Sequence, residues 1–318
     1  MSERVPFEKY DGAGNDFVVV AAESPVPDRA AFARAYCDRE TGVRDEDASR
    51  VGADGVLFLC LDGDSAPPRV TMTQFQPDGS TAAMCGNGVR CVAAWAADRA
   101  EATAFDIVTP AGIRHATVDG DRIAVEMGEP RFGPDAVPLA GETPLVDQPL
   151  AELDGTPAAG LAVTAVNTGV PHAVVFVDAV NEVDIDAVAP PIRHATVFPE
   201  GANVTFASLG MDGFDQRTFE RGVEGETRAC GTGAVAIAAA ANRLGRLPVA
   251  ADADGWIQVT LPGGDLAVAV PEEAPARLRG PALERFEGTL PAAPESDRIA
   301  DDSDESTLEG CRNGEVEE

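Results

Sequence analysis

The sequence predicts an α+β protein of two pseudo-symmetric domains, each a mainly antiparallel sheet or barrel wrapped round a central α-helix. Four local patterns recur in the same order in the two halves of the chain, which indicates a duplicated unit. Each half also carries one alanine-rich helical segment among short β-branched runs. The length of 318 residues suits two domains of ordinary size.

The recurring patterns are two strand-forming blocks, a cysteine motif and a turn. They are residues 14–20 and 169–177, residues 51–58 and 200–206, the Cys-Gly-x-Gly motifs that start at Cys85 and Cys230, and residues 108–112 and 259–264. Apolar or β-branched runs bounded by Gly, Pro and Asp predict strands in these blocks. Because the order is the same in both halves, the two domains are expected to share one topology.

The residues after each Cys-Gly-x-Gly motif predict the central helices. Residues 89–99 and 234–243 are rich in alanine, the best helix former, and are mostly apolar on every side. A helix that is apolar all round belongs in an interior. Each is therefore expected at the centre of its own domain.

The domain boundaries are predicted from these patterns and from composition. The first domain is expected at 1–130 and the second at 131–273, with 274–290 returning to complete the first. The proline-rich stretch 130–144 is expected to carry the crossover. Residues 291–318 are acidic and poor in apolar side chains, which predicts a disordered tail.

The charge balance excludes several classes of partner. The chain has 54 acidic and 24 basic residues, a formal net charge of −30, and Lys9 is its single lysine. Nucleic acids and anionic membranes need a basic surface, so neither is an expected partner. Salt would screen this self-repulsion, which predicts a halophilic protein; an acidic partner-binding face is the alternative. Without a membrane-spanning run or a signal peptide, a cytoplasmic location is expected.

No metal and no cofactor are expected. The six cysteines include no Cys-x-x-Cys pair, and the three histidines are not spaced as metal ligands. An enzyme that uses pyridoxal phosphate needs a lysine for its Schiff base, and Lys9 lies in a predicted strand.

Cys85 and Cys230 are the candidate catalytic residues. Each thiol is expected at the N-terminus of a buried helix, where free N–H groups and the helix dipole should lower the thiol pKa and hold a substrate carboxylate. Two such ends facing one cleft would place a sulfur on each face of an α-carbon, as acid/base inversion requires. His172 and Glu220 lie in blocks near the cleft and are expected to tune a cysteine pKa. An inert buried cysteine is the alternative for either motif alone.

Six motifs together resemble one known family. They are YDGAGNDF at 10–17, MCGNGVRC at 84–91, MGEP at 127–130, FPEGANV at 198–204, ERG at 220–222 and ACGTGA at 229–234. In this combination the chain resembles the diaminopimelate epimerases from about residue 7 to residue 288. The resemblance implies a fold of two pseudo-symmetric domains and conversion of LL- to meso-diaminopimelate, a small amino acid, in lysine biosynthesis.

The resemblance also implies roles for individual residues. Cys85 and Cys230 would be the proton donor and acceptor, and His172 would lie near a catalytic sulfur. The residues implied at the reacting end of the substrate are Asn15, Gly86, Asn87, Gly231 and Thr232. Those implied for the ammonium and carboxylate groups are Asn203, Glu220 and Arg221.

Two positions depart from the family pattern. Gln76 and Val170 stand where the family usually has asparagines that would contact the distal end of the substrate. Gln76 keeps an amide group for substrate binding, whereas Val170 has no donor. A two-cysteine racemase for histidine or proline is therefore an alternative function. A non-catalytic amino-acid-binding protein and a single-nucleophile cysteine hydrolase are further alternatives. Assembly as a homodimer is possible.

Overall fold

The structure, a computed structural model, describes residues 3–44, 50–248 and 254–294. The strands within these ranges are β1 (Arg4–Gly12), β2 (Asn15–Ala21), β3 (Gly55–Asp62), β4 (Arg69–Phe75), β5 (Thr81–Ala82), β6 (Ala104–Thr109), β7 (Gly112–Asp119), β8 (Arg122–Gly128), β9 (Gln148–Pro149), β10 (Ala162–Asn167), β11 (Pro171–Phe176), β12 (Asn203–Leu209), β13 (Gly213–Glu220), β14 (Gly225–Thr227), β15 (Ile257–Leu261), β16 (Gly264–Ala269), β17 (Ala276–Pro281) and β18 (Leu283–Pro291). The α-helices are α1 (Arg29–Cys37), α2 (Gly86–Ala97), α3 (Ile185–Arg193) and α4 (Gly231–Leu244).

The strands form one sheet with the same order in each half. In the first half β2 pairs parallel to β3, β3 antiparallel to β4, and β4 parallel to β6. In the second half β11, β12, β13 and β15 repeat this alternation. The halves join where β8 pairs antiparallel to β17. The predicted duplication is therefore confirmed at the level of topology.

The two predicted central helices lie inside their own halves of the sheet. Helix α2 contacts β1 to β4, β6 to β8 and β17, and α4 contacts β10, β11, β12, β16 and β17. Both helices begin three residues earlier than predicted, directly after Cys85 and Cys230. Both helices consist mainly of buried apolar residues, and Val89, Ala236 and Ile237 are fully buried.

A second helix packs on the outer face of the sheet in each half. Helix α1 begins after Asp28, whose side chain accepts a hydrogen bond from the N–H of Ala31 at 2.9 Å. Helix α3 begins after Asp184 in the same way and contains Pro190 and Pro191. The fully buried Phe32 of α1 packs with the outward-facing side chains of β2 and β3.

The end of the chain returns to the first half. Strand β18 pairs with β1, and β17 lies between β16 and β8. Of residues 291–294, which were predicted to belong to the tail, Pro291 is the last residue of β18, and the N–H of Ala292 donates to the carbonyl of Glu3 at 2.8 Å. The rest of the predicted tail, 295–318, lies outside the described residues, and the domain boundary at residue 130 stays a prediction.

The predicted crossover stretch has little regular structure. Residues 130–144 lie between β8 and β9, and Arg131 forms an isolated bridge with Asn167. None of the helices in the described part of the chain has the length and apolar character to span a bilayer.

Candidate active site

The two cysteines occupy the same position on the two central helices. Each is the N-cap residue, with extended backbone at φ −139° for Cys85 and −134° for Cys230. Neither side chain forms an N-cap hydrogen bond with its own helix.

The N-termini of α2 and α4 lie side by side. A Cβ atom built on Gly231 would stand 3.5 Å from Asn87 Oδ1 and 2.7 Å from a methyl group of Leu278. A Cβ atom on Gly86 would stand 3.5 Å from the same methyl group. The helix ends therefore converge on β17, next to the join between the halves, and Cys85 and Cys230 line one cavity of about 550 Å³.

The cavity brings together all but one of the residues predicted for the site. The lining includes Asn15, Gln76, Cys85, Gly86, Asn87, Asn203, Glu220, Arg221, Cys230, Gly231 and Thr232. His172 is not part of the lining, because it is fully buried behind Thr232. Val170, which stands where the family usually has asparagine, also lines the cavity.

The pKa values of both thiols are raised, contrary to the prediction. Burial raises the pKa of Cys85, and the backbone N–H groups of Gly88 and Asn87 lower it by a smaller amount. Burial raises the pKa of Cys230 further, and the charge of Glu220 adds to the rise. The predicted effect of the helix N-terminus is present, but desolvation of the thiolate outweighs it.

Cys230 is connected to His172 through a hydroxyl group. The Sγ atom of Cys230 lies 3.4 Å from Thr232 Oγ1, which lies 3.0 Å from His172 Nε2. The other ring nitrogen lies 3.0 Å from Thr205 Oγ1. Burial lowers the pKa of His172 to about 3, so the ring is neutral near pH 7. Any effect of His172 on Cys230 therefore passes through Thr232 and not through a positive charge.

Glu220 lies directly beside Cys230. Its carboxyl group forms hydrogen bonds with the Cys230 thiol and with the hydroxyl of Thr227. Burial raises the pKa of Glu220, and these two hydrogen bonds lower it by less. A carboxylate that accepts the proton of a thiol stabilises the thiol form over the thiolate.

Amide groups line the Cys85 side of the cavity. The Asn87 amide donates to Asn15 Oδ1, and Asn15 Nδ2 donates to Asp54 Oδ2 at 3.1 Å. Asp54 Oδ2 also accepts the backbone N–H of Asp16 at 3.0 Å. Asp54 also lines the cavity and lies in the second recurring block, but it was not among the predicted site residues.

An ion-pair network lies behind these amides. Asp16 pairs with Lys9 at 2.7 Å and with Arg39 and Arg50 at 2.9 Å each. The side chain of Lys9 is almost completely buried, and burial lowers its pKa. Arg50 also lines the cavity, although no sequence motif identified it as a site residue. The network fixes the β1–β2 turn that presents Asn15.

Arg221 is held at the other end of the cavity. Asn203 Oδ1 accepts the backbone N–H of Arg221 at 2.8 Å. The guanidinium donates to the carbonyls of Glu200 and Gly201 at 3.2 and 3.4 Å, so its position is fixed by a turn of the backbone. On the facing half, Gln76 Nε2 donates to Ser80 Oγ at 2.9 Å.

The arrangement suits proton transfer at a carbon that carries a carboxylate. Two sulfurs and two helix N-termini face one cavity. The backbone N–H groups at the helix N-termini favour the binding of an anion there. Within residues 3–44, 50–248 and 254–294, no three His, Cys, Asp or Glu side chains are grouped so that they could hold a metal ion.

Known sequences match nearly the whole chain. The sequence model described as "Diaminopimelate epimerase" matches residues 7–133 and 164–282. The diaminopimelate epimerase of Methanocella arvoryzae is 41% identical over 300 residues, covering 90% of this chain and 97% of that protein. That of Methanothrix thermoacetophila is 40% identical over 297 residues, covering 90% and 96%.

Solved structures share the fold at low identity. A phenazine biosynthesis protein of the PhzF family from Enterococcus faecalis matches with a TM-score of 0.61 and 16% identity, over 91% of this chain and 99% of that chain. A hydroxyproline epimerase from Agrobacterium vitis matches with a TM-score of 0.59 and 16% identity, over 93% and 95%. These likenesses concern the fold alone, and they confirm the predicted fold class.

Proposed function

The chain belongs to the diaminopimelate epimerase family, and from this membership we infer that it is an isomerase that converts LL-2,6-diaminopimelate to meso-diaminopimelate in lysine biosynthesis. The observation that carries the mechanism is the position of Cys85 and Cys230. They cap two adjacent helices at one cavity, where each sulfur is in a position to serve one face of the same α-carbon.

In the proposed reaction one proton is removed from the α-carbon and another is added to its opposite face. A thiolate takes the α-proton, and the electron pair of the broken C–H bond stays on carbon and spreads into the carboxylate. The opposite thiol then gives its proton to the other face, so the two cysteines exchange protonation states. A buried thiolate with a raised pKa is a stronger base than a free one, which favours removal of a weakly acidic α-proton.

The helix ends stabilise the carbanion in this proposal. The backbone N–H groups of Gly86, Asn87, Gly231 and Thr232 point from the two N-termini toward the α-carboxylate. The amide of Asn15 lies at the same end of the cavity and is held by Asp54. Closure of a dry site would strengthen each of these interactions.

The distal end of the substrate is assigned to Asn203, Glu220, Arg221 and Gln76. A guanidinium binds a carboxylate with two parallel hydrogen bonds, and Arg221 is fixed in place by backbone carbonyls. Gln76 supplies an amide from the facing half. Val170 supplies no donor, so the remaining groups must provide the selectivity for a second charged end.

The proposal includes a setting for the enzyme. We assign it to the cytoplasm of a halophilic cell, because a net charge of −30 favours an environment in which salt screens self-repulsion. The same charge argues against nucleic acid and anionic membranes as partners. We also propose a division into two domains near residue 130 and assembly as a homodimer.

Serine variants test the assigned pair. Purified protein at high salt is incubated with LL-diaminopimelate, and meso-diaminopimelate is measured by chiral chromatography. Cys85→Ser and Cys230→Ser should each lower kcat by about 100-fold or more, because each removes an acid/base group. Cys60→Ser, an exposed position outside the cavity, is the control and should keep the wild-type rate.

Two results would contradict the proposal. If the wild-type protein forms no meso-diaminopimelate, the proposed epimerase activity is wrong. If either active-site variant keeps the wild-type rate, the substituted cysteine is not an acid/base group of the reaction. L-histidine and L-proline, incubated in parallel, separate this activity from a racemase of the same fold.

A further inference from the structure

A glutamine that no motif identified lies in the Cys85 half of the cavity. Gln74 is a buried residue of β4 that lines the cavity, and it is only 5% exposed. Its Oε1 atom is buried and has no hydrogen-bond partner. Buried polar side-chain atoms usually have a partner, so an unpaired acceptor in the wall of a cavity indicates that a ligand supplies the missing donor.

Contacts place this amide beside the first turn of α2. A Cβ atom built on Gly88 would stand 3.4 Å from Gln74 Oε1 and 3.6 Å from the Cβ atom of Cys85. A Cβ atom on Gly55 would stand 3.6 Å from Gln74 Nε2. The amide and the side chain of Cys85 therefore adjoin the same point at the start of α2, at the end of the cavity where the reacting carbon is bound in the proposed function.

The matching position in the other half is Thr218, which is already paired. Gln74 precedes the phenylalanine that pairs with the second residue of β3, and Thr218 precedes the one that pairs with the second residue of β12. Thr218 Oγ1 accepts a hydrogen bond from Gln216 Nε2 at 3.0 Å and lies 3.4 Å from Thr205 Oγ1. The unpaired acceptor is therefore a feature of the Cys85 half at this position.

The side-chain acceptors around Asn15 are already occupied. Asn15 Oδ1 accepts a hydrogen bond from the Asn87 amide, and the carboxylate of Asp54 accepts from Asn15 and Arg50. Asn87 Oδ1 is unpaired, but it faces the start of α4, where a Cβ atom on Gly231 would stand 3.5 Å from it. Gln74 Oε1 is thus an acceptor that the protein leaves available beside α2.

An α-amino acid carries a carboxylate and an ammonium group on the same carbon. The backbone N–H groups of the two helix N-termini are donors, and donors bind the carboxylate. The ammonium group needs acceptors instead, and Gln74 Oε1 has no other partner. The last torsion of a glutamine side chain is broad, so rotation of the amide can direct its oxygen into the cavity. An N–H of the ammonium group would then satisfy this oxygen.

We propose that Gln74 is a substrate-binding residue whose amide oxygen accepts a hydrogen bond from the α-ammonium group at the reacting carbon. The inference rests on the proposed function, because it takes the reacting end of diaminopimelate as bound beside Cys85. A site with a buried acceptor discriminates against a ligand that lacks the matching donor. Gln74 therefore selects α-amino acids over carboxylic acids of the same length.

The test measures binding separately from turnover. Every protein carries Cys230→Ser, so that LL-diaminopimelate is not converted during the titration, and isothermal titration calorimetry at high salt gives its Kd. Gln74→Leu should raise this Kd about ten-fold or more, the loss expected for a hydrogen bond to a charged group. Gln148→Leu is the matched control, since it makes the same change at an exposed position of β9 and should leave the Kd unchanged.

Two further titrations identify the group that Gln74 binds. Gln74→Glu keeps an acceptor and adds negative charge, so it should bind LL-diaminopimelate at least as tightly as the protein with Gln74. Pimelate has the same two carboxylates and no ammonium group, so Gln74→Leu should leave the Kd of pimelate unchanged. If Gln74 donated to a carboxylate instead, glutamate would weaken the binding of diaminopimelate and leucine would weaken the binding of pimelate.

Either of two results overturns the inference: an unchanged Kd for LL-diaminopimelate in folded Gln74→Leu, or equal weakening of diaminopimelate and pimelate in that variant. If Gln74→Leu does not fold, Gln74→Glu decides, and weaker binding of LL-diaminopimelate overturns the inference. Conversion of LL-diaminopimelate is measured on the wild-type protein. Conversion together with an unchanged Kd in Gln74→Leu overturns this inference alone, whereas absence of conversion overturns the proposed function.

Discussion

A buried imidazole between two hydroxyl groups can remain neutral far below its usual pKa. His172 has no accessible surface, and its ring nitrogens face Thr205 and Thr232. A protonated ring would be a buried cation without a carboxylate among these contacts, so burial lowers the pKa to about 3. His172 therefore orients the hydroxyl of Thr232 near Cys230, and its titration is not expected in the pH profile of the reaction.

The stability of the protein should reveal this neutral histidine. The unfolded state takes up the proton near pH 6.5 and the folded state near pH 3, so the contribution of His172 is present above pH 6.5 and lost as the pH falls. His172→Gln removes the titration. The difference in free energy of unfolding between wild type and variant should change by about 2 kcal/mol between pH 7 and pH 5. Urea unfolding at high salt measures it, and an equal difference at both pH values would contradict the buried neutral state.

The direction of the cysteine pKa shift illustrates what the sequence leaves undetermined at the residue scale. The repeated Cys-Gly-x-Gly motif was sufficient to place both thiols at helix N-termini, and both are N-cap residues. The helix-end N–H groups lower the pKa as predicted, but the depth of burial has no signature in the motif. Burial depends on which strands and side chains close over the sulfurs, and that is a tertiary property.

Glycines in the first turn bring the central helices close to polar side chains. A Cβ atom on Gly233 would stand 2.7 Å from Gln216 Nε2 and 3.3 Å from Cys230 Sγ. The Gln216 amide donates to the carbonyl of Cys230 at 3.0 Å, so this contact helps to fix the start of α4. At the matching position of α2, a Cβ atom on Gly88 would meet Gln74 Oε1 at 3.4 Å, close to ordinary contact.

Alanine substitutions at these matching positions should have unequal effects. Gly233→Ala displaces the Gln216 amide and the Cys230 sulfur, so kcat should fall about ten- to hundred-fold, as expected for a small misplacement of a reacting group. Gly88→Ala is the matched control and should change kcat much less. Steady-state kinetics with LL-diaminopimelate compares them. Equal losses in both variants would show that the close contact at Gly233 has no special role.

The strands and central helices that carry the recurring sequence patterns were predictable, whereas the outer helix of each half was missed. Strands and central helices follow from two copies of the same pattern. Helix α3 was missed because Pro190 and Pro191 argue against a helix, yet Asp184 caps it and the buried Ile185 and Ile192 anchor it on the sheet. Helix α1 was also missed, although its Asp28 cap and its alanines are local signals that favour a helix.

At the scale of the molecule, duplication explains why two cysteines share one cavity. The halves join through β8 and β17, the last strands of the repeated topology in each half, and the central helices point their N-termini at this join. The sequence predicts that two similar units exist. The sequence also predicts that the two cysteine-bearing helix ends face one cleft. Which strands join the units depends on packing between them and could not be predicted.

The net charge predicts a strong response of stability to salt. The chain carries a net charge of −30, and the screening length falls from about 10 Å at 0.1 M to about 3 Å at 1 M salt. Raising KCl from 0.1 to 2 M should raise Tm by at least about 1.5 °C, the shift that about 1 kcal/mol gives in a chain of this size. Differential scanning calorimetry measures the change.

A charge-reduced variant is the matched control for this response. Replacing the exposed Glu142, Glu272 and Glu273 by glutamine lowers the negative charge without altering the core. The variant should need less salt to reach the same Tm. An unchanged or lower Tm of the wild type in 2 M KCl would contradict the halophilic assignment.

The most direct test of the two-cysteine account is the fate of the α-proton in heavy water at high salt. LL-diaminopimelate is converted for a small fraction of the reaction, and the deuterium content of product and remaining substrate is measured by mass spectrometry and NMR. If one sulfur removes the proton and the other supplies a different one, meso-diaminopimelate carries deuterium at the inverted centre while the remaining substrate carries almost none. A meso product that retains the original proton would show that a single group serves both faces, and the account would be wrong.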